Sequence, residues 1–315
     1  MSAMAAVQRD ARPSPSNASS SIQVLPSGGA CGAEVRGVDA SKTLAPQVVK
    51  AVRDALVEHS VVYLRDQDIT DEQLVAFGRN FGDLHAYQVT EYEKPAHLPP
   101  EVEMVSNIYI DGKQQGALGA GEARWHTDMS MFEFPSSFTF LFGEIVPESG
   151  GNTRFSSMYR AWDTLPDDLK RKVRGTYSIH DVAFMADGRV RPPYTAEDVK
   201  DRTQSPGGRH PVVRTHPESG REALYLGRIG FGYIFPYSVE ESDTLLAQLW
   251  AHMTKPEFIW EHVWRKGDIL IWDNRALSHA RDALDPTRPR QMHRITAKGE
   301  RPFWLGNPRL KSHAY

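Results

Sequence analysis

Ser137 to Val146 sets Phe138, Phe140 and Phe142 in alternation with smaller or polar residues. Only an extended strand turns a period of two into one continuous apolar face, so this chain must build a sheet around that segment. Other stretches agree. Val61-Val62-Tyr63-Leu64 reads as a buried strand, Met104 to Ile110 as another, and Phe258 to Trp264 and Asp268 to Trp272 as two more, turning at Lys266-Gly267. Residues 22 to 40 read as short strands and turns, and Val212 to Leu226 as a hairpin around Pro217-Glu218-Ser219-Gly220. Helices are fewer. Ala45 to Ser60 carries Val48, Val49, Val52, Leu56 and Val57 at helical spacing, and Thr70-Asp71-Glu72-Gln73 opens a second helix with capping-box chemistry. Residues 158 to 174 and Val239 to His252 complete the set. Many short strands with a few outer helices, and no internal repeat, predict a mainly β sandwich or jelly roll with helical cover.

Residues 1 to 21 are rich in Ala, Ser and Pro without an apolar run and read as a disordered tail, leaving 22 to 315 as a single domain. The polar stretch from Asp181 to Arg209 reads as a long surface excursion, for which a lid and a plain insertion both fit. Lys+Arg 37 against Asp+Glu 40 gives a net charge of -3, with no basic excess to recruit nucleic acid. No apolar run is long enough to cross a bilayer. The single cysteine, Cys31, can form no internal disulfide, which places the chain in the reducing cytoplasm. A homo-oligomer stays open.

Trp125-His126-Thr127-Asp128 carries the chemistry. His126 and Asp128 are two apart, so on an extended strand their side chains leave the same face. His279, on a loop after the Asp268 to Trp272 strand, would add a second imidazole. Two histidines and one carboxylate on one side of a metal leave coordination positions open, as in non-haem Fe(II) oxygenases, whereas a structural zinc site fills all four. Arg290 and Arg294 are four apart and would share a strand face, and a guanidinium fork suits a carboxylate. Solvated surface arginines fit that spacing equally well. Gly150-Gly151-Asn152-Thr153 follows a strand as a tight turn. His293 would face away from Arg294, and His59, His97, His180, His210, His252, His262 and His313 read as ordinary surface or core residues.

With these segments in order, the chain from Ile22 to Leu310 resembles the taurine dioxygenase and 2,4-dichlorophenoxyacetate dioxygenase family of Fe(II)/2-oxoglutarate enzymes. The resemblance also includes Val62-Tyr63-Leu64-Arg65-Asp66-Gln67, Phe81-Gly82-Asp83-Leu84-His85, Val213-Arg214-Thr215-His216-Pro217, Trp272-Asp273-Asn274-Arg275 and Met292-His293-Arg294. It implies a double-stranded β-helix (jelly roll), Fe(II) held by His126, Asp128 and His279, and 2-oxoglutarate as co-substrate with O2. It also implies that Thr153 and Arg290 bind the distal carboxylate of 2-oxoglutarate, and that Arg294 stands where the taurine enzyme meets its sulfonate.

The departures from that pattern concern the substrate. Tyr87 replaces a sulfonate-binding histidine, Glu122 replaces an asparagine, and Met129 follows the metal carboxylate. Phe231, between Gly230 and Gly232, would supply an apolar wall. The implied reaction hydroxylates a C–H bond of a small anionic molecule against Arg294, releasing succinate and CO2. A C–S or C–O bond is cleaved when the hydroxylated carbon bears the heteroatom. A retained Asp128 favours hydroxylation over halogenation. A zinc-type hydrolase and a catalytically inactive β-sandwich binding module are the alternatives; the first would have no use for Arg290 and Thr153, and the second would require a drifted site, whereas the full residue set is intact.

Overall fold

The structure, a computed structural model, describes residues 22–86, 94–118, 122–185 and 188–306. The expected tail, 1 to 21, lies outside them. Two antiparallel-rich sheets face each other as a jelly roll. The larger has eight strands, ordered Gln23–Pro26, Ala33–Arg36, Val61–Leu64, Ile269–Asp273, Ser136–Ile145, Gln291–Lys298, Glu103–Ser106 and Ala117–Leu118. The smaller has four, ordered Ile259–His262, Thr153–Ser157, Leu277–Arg281 and Ala123–His126.

The Ser136–Ile145 strand shows why the alternation was informative and what it left out. Phe138 and Phe140 pack outward beneath two helices, Pro46–His59 and Asp71–Gly78, together with Ile269, Ile271, Ile295 and Ala297. Leu141 faces the other way, into the space between the sheets, with Leu270, Trp272, Met292 and Phe155. Helices on one side and the second sheet on the other therefore bury both faces of the central strands. On Gln291–Lys298 the same period sends Ile295 and Ala297 under the helices and Met292 inward. Each fully buried aromatic here is worth about 3–5 kcal/mol against alanine. The second helix begins on the expected capping box, with Thr70 accepting from the Gln73 amide and Gln73 answering to Thr70.

Several boundaries moved. The helix expected over 158 to 174 is two, Met158–Asp163 and Asp167–Val173, because Pro166 between them has no N–H to continue the ladder. The strand expected over Met104 to Ile110 stops at Ser106, and Tyr109–Ile110 pairs instead with Lys113–Gln114 in a small hairpin turning at Gly112 (φ 76°). The Asp181 to Arg209 excursion leaves and re-enters one sheet, since Tyr177–Asp181 pairs with Gly207–Pro211. Among the described residues no helix is long and apolar enough to cross a membrane.

His293 does turn away from Arg294, as its position on the strand required. Its Nδ1 lies 2.5 Å from Asp71 and its Nε2 2.8 Å from Glu144. Burial lowers its pKa, but the hydrogen bonds and charges of Asp71 and Glu144 outweigh burial and the net shift is upward. Such a raised pKa stabilises the fold fully below the unfolded value of about 6.5, and the contribution fades as pH rises through the folded value. The stability gap between the native protein and His293→Gln should therefore be wider at pH 5.5 than at pH 8.5. Urea midpoints at the two pH values check this; a gap that widens with pH would contradict the pairing.

Candidate active site

His126 ends the Ala123–His126 strand and His279 sits inside the Leu277–Arg281 strand, directly opposite it in the antiparallel register. The expectation that His279 is carried on a loop is thus corrected. Cross-strand partners stand close by construction, and the two imidazole centroids are 4.2 Å apart. Asp128 is not on the strand either. The strand ends two residues earlier, and Asp128 belongs to a turn in which Met129 takes a left-handed φ of 53°. The turn does what the extended geometry was expected to do. The ligand atoms of His126, Asp128 and His279 all lie within 4.8 Å of one another.

Each of the three side chains is held in place. His126 Nδ1 is 2.7 Å from the Arg124 carbonyl, which puts the proton on Nδ1 and leaves Nε2 as a lone pair toward Asp128, 3.6 Å away. His279 is packed by Trp272 and Phe155, and burial, then His126, pushes its pKa down to about 3, so the imidazole is neutral and ready to ligate. Burial by itself raises the Asp128 pKa, but His279, Arg294 and His126 bring it well below the usual carboxylate range. Thr139 donates to its Oδ2 at 2.8 Å, and the Asn274 amide donates to Thr139 at 2.9 Å. Sequence reading noticed the Trp272-Asp273-Asn274-Arg275 motif but not this use of it. Its Asp273 instead binds Arg275 and His216, bracing the turn.

Beside the histidines a cavity is lined by Thr153, Trp272, Arg281, Arg290 and Arg294. Thr153 is cross-strand partner to Arg281, and its hydroxyl accepts from Trp264 Nε1 at 3.0 Å. Arg290 is anchored through its backbone N–H, which donates to Asn107 at 2.8 Å. Its buried Nη2 makes no hydrogen bond among the described residues. Burial, then the charge of Arg281, pushes its pKa down to about 9. A buried guanidinium with an idle N–H fits an anion. The Gly150-Gly151 turn is part of the same construction. Both glycines have positive φ, and a Cβ on Gly151 would stand 3.2 Å from the Arg290 side chain.

A family model, Taurine catabolism dioxygenase TauD, TfdA family, matches residues 23–296. The chain belongs to that family. It is 33% identical over 295 residues to an alpha-ketoglutarate-dependent sulfate ester dioxygenase of Pseudomonas putida, covering 89% of this chain and 91% of that protein. To the alpha-ketoglutarate-dependent 2,4-dichlorophenoxyacetate dioxygenase of Burkholderia sp. (strain RASC) it is 31% identical over 273 residues, 82% of this chain and 88% of the other. The solved structure of AAD-2 in complex with Mn(II) and N-oxalylglycine matches with a TM-score of 0.74 at 32% identity, covering 89% and 98%. As a TauD/TfdA dioxygenase the chain is an Fe(II)- and 2-oxoglutarate-dependent oxidoreductase acting with O2 on a small molecule.

The residues expected to individualise this TauD/TfdA member scatter. Tyr87 lies outside the described residues. Glu122 does not reach the cavity lined by His126 and His279. Its side chain is 64% exposed and points toward Arg124, because it precedes the strand that delivers His126. Met129 turns its thioether to Ser136, whose hydroxyl donates to it at 2.9 Å. Phe231 stacks on Phe184 with centroids 5.3 Å apart, over a neighbouring cavity with Ile179 and Arg202 rather than in the one that holds the histidines. Arg294 does point inward, but it is not a free cation. Its Nε donates to Glu103 at 2.7 Å and its Nη1 to Asp128 at 3.2 Å. Nothing in the residue pattern singled out Glu103, which stands just before the strand expected from Met104 and in fact opens it.

Proposed function

We propose that His126, Asp128 and His279 hold one Fe(II), that Thr153 and Arg290 seat the distal carboxylate of 2-oxoglutarate, and that the enzyme hydroxylates a C–H bond of a small organic molecule. The observation that carries the reading is the buried Arg290 Nη2 without a hydrogen-bond acceptor among the described residues, in the cavity that also contains His126 and His279. A zinc hydrolase would have no use for such a cation.

When bound, iron with 2-oxoglutarate and O2 supplies the oxidising power, and succinate and CO2 are the co-products. The chain's own residues position the parts. The Arg124 carbonyl and the Thr139–Asn274 pair set the orientation of His126 and Asp128. Trp272 and Phe155 wall off His279 from water. Thr153 and Arg290 give the co-substrate one orientation, by a hydroxyl and a fork that together match a carboxylate. Relatives named for a sulfate ester and an aryloxyacetate support a substrate whose attacked carbon bears oxygen, so that hydroxylation there releases a carbonyl compound. The test is Fe(II)- and 2-oxoglutarate-dependent succinate release across a panel of sulfate esters and aryl ethers. Metal-dependent ester hydrolysis that proceeds without 2-oxoglutarate would sink the reading.

A further inference from the structure

We infer that Glu103 keeps Arg294 neutralised, so that this enzyme recognises its substrate without a fixed negative charge at that arginine. The inference rests on the dioxygenase reading above and concerns only the substrate side of the same site. Glu103 opens the Glu103–Ser106 strand and is the cross-strand partner of Arg294 on Gln291–Lys298. Register therefore delivers its carboxylate to the guanidinium, and no loop movement is needed. One Glu103 oxygen takes both Nε and Nη2 of Arg294, while Nη1 faces Asp128. All three guanidinium nitrogens thus face carboxylate oxygens that belong to the protein. The pair is sheltered, with side-chain exposures of 20% for Arg294 and 12% for Glu103.

A buried acid on a sheet strand survives only if paired, and a buried pair is costly to break because it strands both charges. A sulfonate or carboxylate arriving at Arg294 would have to evict Glu103 or lie beside it, and like charges repel strongly away from water. Arg290 differs in just this respect, since its Nη2 has no acceptor among the described residues. The two arginines, four apart and lining one cavity, are thus assigned different tasks by one acid. Arg290 takes an anion, and Arg294 braces Asp128. A substrate that presents an ester, amide or ether oxygen, or plain hydrocarbon, meets no penalty there.

The experiment measures binding rather than turnover. Phenoxyacetate and its methyl ester are titrated calorimetrically into the anaerobic protein loaded with Fe(II) and 2-oxoglutarate. Glu103→Gln keeps an oxygen for the Arg294 hydrogen bond but removes the charge, and should bind phenoxyacetate at least about 10-fold more tightly than the native protein. That gain should vanish in the double variant Glu103→Gln, Arg294→Gln. Equal or weaker phenoxyacetate binding by Glu103→Gln overturns the inference. The native arm decides separately, whatever the fate of the variant: native protein that binds phenoxyacetate about 10-fold more tightly than its methyl ester also overturns it. A titration of the native protein with 2-oxoglutarate alone tests the underlying reading, so the two failures cannot be confused.

Discussion

His279→Ala should lose 2-oxoglutarate turnover altogether, even at saturating Fe(II), and His126→Ala should do the same. Two remaining ligands cannot hold the metal in a reactive geometry, and metal affinity depends on having the full deprotonated set in place. His279 is the more instructive position because it is buried, opposite both His126 and Phe155 in register. Its truncation also opens a hole beneath Trp272, and destabilisation of about 2–4 kcal/mol is expected from the missing volume. Circular dichroism and equilibrium metal binding separate the two effects. The fold should survive while Fe(II) binding falls, and full activity in His279→Ala would mean that the third ligand is another residue.

Arg290→Ala should raise the 2-oxoglutarate requirement by about two to four orders of magnitude, since leaving a desolvated carboxylate without its partner costs about 3–5 kcal/mol. Thr153→Ala costs less, about 1 kcal/mol for one hydrogen bond. Part of that smaller loss falls on the fold, because the Thr153 hydroxyl also accepts from Trp264. Arg290→Lys should recover little of the native affinity. A lysine keeps the charge but not the fork, and the anchor that Asn107 gives Arg290 acts on the backbone, not on the head group. The co-substrate KM from succinate release, with kcat followed separately, checks both variants. An Arg290→Ala enzyme with unchanged 2-oxoglutarate dependence would move the clamp to Arg281, its neighbour in the same cavity.

Local chemistry determined much of this protein from the residues alone. The alternation at Phe138 and Phe140 required a strand and the Thr70 and Gln73 pair required a helix start. These are matters of period and cap, which depend on near neighbours in the chain, whereas His126, Asp128, His279, Thr153 and Arg290 were implied together by the family resemblance. Tertiary structure decided what depends on distant partners. It placed His279 on a strand instead of a loop, because pairing with Thr153–Ser157 and Ala123–His126 extends that segment. It turned Asp128 toward the histidines by a left-handed residue where an extended strand was expected. Above all it brought Glu103 to Arg294 across 191 positions of sequence. No spacing rule links two residues so far apart. The balance of charge around Arg294 is set only when the strands pair in register, because a buried charge takes its character from what stands opposite it.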